Sequence, residues 1–123
     1  MGLIGRKKGF VDRGDPSQFD FDINTLIKDS TWRELDLSGI IPKGVKSVLI
    51  RMVISSSHAQ RYIRLRKKGN TNSTNVAYLT AMVANIANAE DCIVSISSDR
   101  KIEYYLAGTE ITGAWIIIRG WWF

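Results

Sequence analysis

The chain reads as all-β: an antiparallel β-sandwich, jelly-roll-like, of about eight strands. Three observations carry that reading. Apolar and polar residues alternate with period two in one short run after another, from Phe19, Phe21 and Ile23 through Ile102, Tyr104 and Leu106. Turn-forming clusters interrupt these runs about every ten residues, and no stretch shows a clear amphipathic helix. The last ten residues, Ala114 to Phe123, are almost uniformly β-branched or aromatic, the composition of a strand covered on both faces. A partly open barrel is the competing architecture, and no repeat of 20 to 50 residues is visible.

Taken in order, residues 1–18 combine Gly2, Gly5, Gly9 and Gly14 with Arg6, Lys7 and Lys8, and read as a flexible basic arm. The sandwich domain then spans 19–123. Its first strand is expected at 19–23, where Phe19, Phe21 and Ile23 alternate with Asp20, Asp22 and Asn24. A second is expected at 31–37, before the turn residues Ser38-Gly39 and Pro42-Lys43-Gly44. Residues 45–55 form the longest clear strand, with Val48, Ile50, Met52 and Ile54 on one face, and a central place in the sheet is expected for it. The polar turn 55–59 leads into a basic strand at 60–68, with Ile63 and Leu65 facing inwards and Tyr62, Arg64 and Arg66 outwards. Residues 69–75 are loop. Residues 76–86 fit a strand better than a short helix, although Tyr78, Met82 and Asn85 would share a helical face. Strands at 91–97, 101–106 and 112–123 complete the set.

Composition narrows the function classes. A chain of 123 residues is one domain, long enough to bury roughly two thirds of its unfolded surface. The net charge of +5 lies in one place: Arg61, Arg64, Arg66, Lys67 and Lys68 fall within eight residues that contain no acid, leaving twelve basic and twelve acidic groups elsewhere. The single Cys92 excludes an internal disulfide, and its apolar run, Cys92-Ile93-Val94, reads as a site for an inert thiol. No stretch approaches the roughly 20 apolar residues of a membrane-spanning helix, and the amino terminus does not read as a signal peptide. Cytoplasmic synthesis is expected, with the finished protein a virion component.

Catalytic signals are thin. His58 is the only histidine, beside Ser55, Ser56 and Ser57 but without an elbow motif, and reads as a solvated loop residue. Asp20 with Asp22 and Glu90 with Asp91 are sequence neighbours, which does not place two acids across a cleft. Asp12, Asp15, Asp20 and Asp22 supply oxygen donors without a calcium-loop spacing, and Arg13-Gly14-Asp15 spells an adhesion tripeptide that also arises by chance. No catalytic residue, metal site or cofactor is therefore expected.

Binding signals are stronger. Tyr62, Arg64 and Arg66 place a ring and two guanidinium groups on one outer face, suited to an acidic sugar or another anion. The competing readings are edge protection by long basic side chains or ion pairing with a neighbouring strand; nucleic acid ranks below both. In the terminal strand, strict alternation puts Trp115, Ile117, Arg119 and Trp121 on one face and Ala114, Ile116, Ile118, Gly120 and Trp122 on the other. Both faces need cover. Trp115, Trp121, Trp122 and Phe123 are accordingly the expected contacts of a homo-oligomer, with a trimer the simplest form.

The strings Ser30-Thr31-Trp32-Arg33-Glu34-Leu35-Asp36-Leu37-Ser38, Ile41-Pro42-Lys43-Gly44-Val45-Lys46, Tyr62-Ile63-Arg64-Leu65-Arg66, Ile102-Glu103-Tyr104-Tyr105 and Gly120-Trp121-Trp122 together resemble a group of small phage and environmental proteins. Similar domains form the terminal modules of phage tail-fibre-like proteins. The resemblance covers residues 29–122 and implies an oligomeric β-sandwich with no assigned catalytic or binding residues. The resulting expectation is a non-enzymatic structural or binding module, phage- or virion-associated, self-assembling through its carboxyl-terminal strand. The alternative is a carbohydrate-recognition module using exposed aromatic and arginine side chains.

Overall fold

A computed structural model describes residues 9–123. The arm's residues 1–8, with Arg6, Lys7 and Lys8, lie outside the described residues. Among the described residues eight strands are present: β1 (Val11–Asp12), β2 (Arg33–Asp36), β3 (Ser47–Ser56), β4 (Arg61–Lys67), β5 (Ala77–Ala81), β6 (Asn88–Ser95), β7 (Lys101–Ala107) and β8 (Ile111–Trp122). They form two antiparallel four-stranded sheets in the orders β1-β8-β3-β6 and β2-β7-β4-β5. Every connection crosses from one sheet to the other except β4 to β5, a hairpin whose loop holds one 3-10 turn at Ser73–Asn75. This is the two-sheet roll of a jelly roll.

Alternation along each strand builds the core between the sheets. Val48, Ile50, Met52 and Ile54 from β3 are fully buried, opposed across the sandwich by Ile63 and Leu65 from β4 and Ile102 and Leu106 from β7. As expected, β3 is an inner strand, paired with β6 on one side and β8 on the other. Burying one such branched side chain contributes about 1.5–3 kcal/mol, so these positions dominate the stabilisation. Residues 76–86 divide: β5 ends at Ala81, and the turn after it leaves Met82, Val83 and Ile86 exposed.

Two expectations fail, each for a local reason. Residues 19–23 do not form a strand; Phe21 makes one isolated bridge to Ile116. The Asp22 side chain accepts from the Asn24 amide (2.9 Å), and the Asp22 carbonyl accepts from Thr25 and Leu26, so the chain turns where strand pairing would continue. In β8, strict alternation breaks at Arg119: Ile50 pairs with Ile118, and Leu49 pairs with Gly120. Arg119 is the extra residue of a bulge, which reverses the facing of everything after it. Trp121 therefore opposes Val48 and packs on the core, while Trp122 opposes Ser47 on the outer side.

Next to the bulge the amino-terminal segment runs along the β8 edge. A Cβ on Gly120 would stand 2.1 Å from Phe10 Cζ and 2.4 Å from the Val11 carbonyl oxygen, so only glycine fits beneath the arm. Residues 11 and 12, read from sequence as arm, pair there with Trp121 and Gly120 as β1. Arg13 and Asp20 then close the loop in a two-point ion pair of 2.5 and 2.7 Å. The same two side chains satisfy the backbone of Ile118, Arg13 donating to its carbonyl (3.0 Å) and Asp20 accepting from its amide (2.8 Å). A side-chain pair thus occupies hydrogen-bonding positions along the β8 edge that a neighbouring strand would fill.

Candidate functional site: an aromatic and arginine face on the second sheet

Because Ile63 and Leu65 point into the core, Tyr62, Arg64 and Arg66 share the outer face of the second sheet, as their spacing predicts. Strand pairing then decides their neighbours. Arg64 stands directly opposite Tyr78 on β5 and Tyr105 on β7, forming a cross-strand row of ring, guanidinium and ring. Tyr62 lies diagonally to both rings, 5.1 Å from Tyr78 at 17° and 6.0 Å from Tyr105 at 6°, so three tyrosines are nearly parallel. The Arg64 Cζ sits 4.5, 4.8 and 5.7 Å from the ring centroids of Tyr62, Tyr78 and Tyr105. Trp32, immediately before β2, extends the group, its ring 5.4 Å from Tyr105.

β4 lies between β7 and β5, so protection of a sheet edge does not explain its basic residues. Ion pairing explains three of the five. Arg61 binds Glu110 at 2.7 Å, Arg66 binds Glu103 at 2.6 Å, and Lys68 binds Asp99 at 2.6 Å. Hydrogen bonding within these pairs shifts their titration: the Glu110 carboxyl is lowered and the Arg61 guanidinium raised, and Asp99 falls to about 2 chiefly through Lys68 and then Ser97. A contiguous basic stripe for nucleic acid is therefore largely neutralised by the protein's own acids.

Arg64 differs. No ion pair among the described residues involves it, and its buried Nε has no hydrogen-bond acceptor. Ring faces surround it instead, an arrangement that contributes about 0.5–2 kcal/mol per favourable contact and leaves the cation without a counter-charge. Arg66, by contrast, is doubly committed: its Nε donates to Glu103 and its Cζ lies 3.8 Å above the Trp32 ring. Beside the two arginines is a recess of about 210 Å³, lined by Trp32, Arg64, Arg66, Tyr78 and Val76 with Thr71 and Ser73 of the β4–β5 loop.

No protein-family model and no curated protein sequence matches the chain. Its chemistry must be read from its own geometry.

The other sequence-predicted positions are placed as follows. Trp121 faces its own core, and Trp122 meets Phe10 at 4.8 Å. Trp115 folds back over Gly113, where a Cβ would lie 2.3 Å from the indole, and has Phe19 6.3 Å away. Phe123, 41% exposed, rests against Gly44. Much of the cover expected from a second subunit is thus supplied by the chain itself. The His58 Nδ1 is 3.2 Å from Ser57 Oγ in an exposed loop, and that hydroxyl also donates to the Glu110 carbonyl. Burial, with Glu90 and Asp91 nearby, pushes the Cys92 thiol up to about 12, the inert state expected of it.

Among the described residues no cluster of three or more His, Cys, Asp or Glu side chains could hold a metal ion, and no helix is long and apolar enough to cross a membrane. Of the aspartates considered for calcium, Asp20 is taken by Arg13, and Asp12 and Asp22 accept from the backbone of their own turns. The Arg13-Gly14-Asp15 tripeptide has its guanidinium tied to Asp20 and to the Ile118 carbonyl. A larger cleft of about 590 Å³ lies on the outer face of the first sheet, between residues 10–19 and Leu49, Arg51, Ile117 and Arg119. Its two arginines are both bound to Asp91, at 3.2 and 2.7 Å.

Sequence reading found three of the six residues of the second-sheet face. It missed Trp32, Tyr78 and Tyr105 because their meeting depends on strand register. One signal was available: Tyr104 and Tyr105 are adjacent, so one of them must point outwards.

Proposed function

We propose that this jelly roll is a non-enzymatic carbohydrate-binding module whose ligand lies on the outer face of the β2-β7-β4-β5 sheet. The observation that carries the reading is the Tyr78–Arg64–Tyr105 row with Tyr62 and Trp32 beside it: several apolar ring faces around a cation that has no carboxylate partner among the described residues. Sugar rings present C–H groups to such rings and hydroxyls at their edges, so a shallow aromatic surface with polar margins suits them. Tyr78, 45% exposed, offers its ring directly to a ligand. Arg64 adds a donor for an acidic substituent. A place at a virion surface, which the sequence resemblance to terminal modules of tail-fibre-like proteins implies, is part of the same proposal.

Isothermal titration against a panel of neutral and acidic oligosaccharides tests the reading. At least one glycan binds, and Tyr62→Ala and Tyr78→Ala each weaken it about tenfold while the fold is retained. A panel without any response, or binding that survives both substitutions, removes the proposal.

A further inference from the structure

Resting on that reading, we infer that the ligand ends in one carboxylate-bearing sugar, that Arg64 alone recognises the acid, and that Arg66 is a positioning residue that holds Trp32. Charge accounting comes first. Arg66 and Glu103 are a close pair with side chains only 14% and 18% exposed, so together they present little net charge to the recess beside them. Arg61 at the start of β4 and Lys68 just beyond its end are likewise paired with acids, and Lys67, which has no ion pair among the described residues, does not line the recess. Arg64 is left as the unpaired cation lining the recess, which matches one negative charge on the ligand.

The surroundings of Arg64 select the shape of that charge. Its Nε is sealed among the rings, so a ligand can reach it only through the two terminal amino groups. Those groups form a planar fork that matches the two coplanar oxygens of a carboxylate. A sulfate or phosphate can present two oxygens to the same fork, but carries a further oxygen that the single guanidinium does not pair. A dianionic phosphate would in addition leave one of its charges without a cation.

The recess limits size. At about 210 Å³ it is below the roughly 300–1,000 Å³ of pockets that enclose a drug-sized ligand, so it takes one ring and not a chain. Thr71 and Ser73 bring hydroxyl-bearing side chains to its lining, and Val76 and Tyr78 bring largely apolar ones. That combination fits the hydroxylated edge and the C–H face of a terminal sugar. Trp32 forms another wall, and the Arg66 guanidinium over its ring fixes the indole in place.

The test compares sialylated and uronic-acid-terminated oligosaccharides with their carboxyl-reduced counterparts and with 3′-sulfated lactose, by calorimetry on the full chain. A carboxylated glycan is expected to bind at least tenfold more tightly than its reduced form. Arg64→Gln abolishes that preference but keeps the weak binding of the reduced form, and Arg64→Lys restores only part of it. Arg66→Gln weakens both forms equally, leaving their ratio intact. Melting curves establish that each variant is folded, and if Arg64→Gln is not, Arg64→Lys carries the comparison. Equal affinity for acidic and reduced forms overturns the acid assignment and leaves the platform standing. Preference for the sulfated sugar overturns the carboxylate, and a change of ratio in Arg66→Gln overturns the division of labour. No binding by any glycan overturns this inference together with the function on which it rests.

Discussion

The two outer faces of the sandwich handle the same kinds of side chain in opposite ways. On the first sheet, Arg51 and Arg119 converge on Asp91, while Phe10 and Phe19 from the amino-terminal segment lie over Trp122 and beside Trp115. On the second, Arg64 stands among Tyr62, Tyr78 and Tyr105 without an acid, and Tyr78 is open to solvent. Both faces are rich in arginine and aromatic residues. What separates them is whether the chain covers its own surface. A segment folded back over the first face supplies intramolecular cover, whereas the rings and the one cation of the second have no such cover among the described residues.

The largest break in this contrast comes from removing that cover. Gly120→Ala puts a methyl group into Phe10 and the Val11 carbonyl, so the arm must move or β8 must distort. A loss of about 1–3 kcal/mol is expected by chemical denaturation, with Phe10 and Trp122 becoming more accessible to quenching. An unchanged midpoint would mean that the arm contributes nothing to the fold. Next in size is Asp20→Ala, which leaves the Arg13 guanidinium and the Ile118 amide without their shared acceptor. Because Asp20 is 10% exposed, about 1–3 kcal/mol is again expected, and hydrogen exchange at Ile118 should accelerate. Protection at Ile118 equal to that of the parent protein would show that another group closes the β8 edge.

Equivalent changes on the second face should separate stability from binding. Tyr78→Ala removes one ring beside Arg64, and with Arg64→Gln it defines a double-mutant cycle. A coupling of about 0.5–1 kcal/mol is expected in stability, against loss of glycan binding by either single variant of tenfold or more. A coupling of several kcal/mol would instead make the tyrosine–arginine row a structural staple. The faces would then differ in style and not in purpose.

How much of this was legible follows from what each feature depends on. The alternation of Val48, Ile50, Met52 and Ile54 is local, and it placed β3 correctly, as Ile63 and Leu65 placed β4. The bulge at Arg119 shows only in the register of β8 against β3, so strict period-two reading put Trp121 and Trp122 on each other's faces. The Asp22 turn competes with the strand that Phe19, Phe21 and Ile23 spell, and a side-chain acceptor two residues from its amide partner is easily missed beside strong hydrophobic alternation. Arg64 was found by composition. Its isolation was not, because only register shows that Arg66 faces Glu103 while Arg64 faces two tyrosines.

The smallest expected effect concerns acid. Around the second sheet Asp99, Glu34 and Glu110 all titrate below their ordinary ranges, Asp99 at about 2 through Lys68 and Ser97, Glu34 chiefly through Lys101, and Glu110 chiefly through Arg61. Each is held more firmly as a carboxylate in the folded chain than in the unfolded one. Between about pH 4 and pH 2 the unfolded chain therefore binds protons that the folded chain still refuses, and stability declines as pH falls through this window. Above it the contribution is complete, and below it the contribution is gone. These groups are solvent-exposed, so the effect is small, and salt should reduce it further. Melting temperature should be level from pH 7 to 5 and then fall towards pH 2, with a shallower fall in Asp99→Asn. Identical acid limbs for the variant and the parent would place the acid sensitivity on the other lowered carboxylates of this sheet, with Glu34 beside Lys101 and Lys68 the group to replace next.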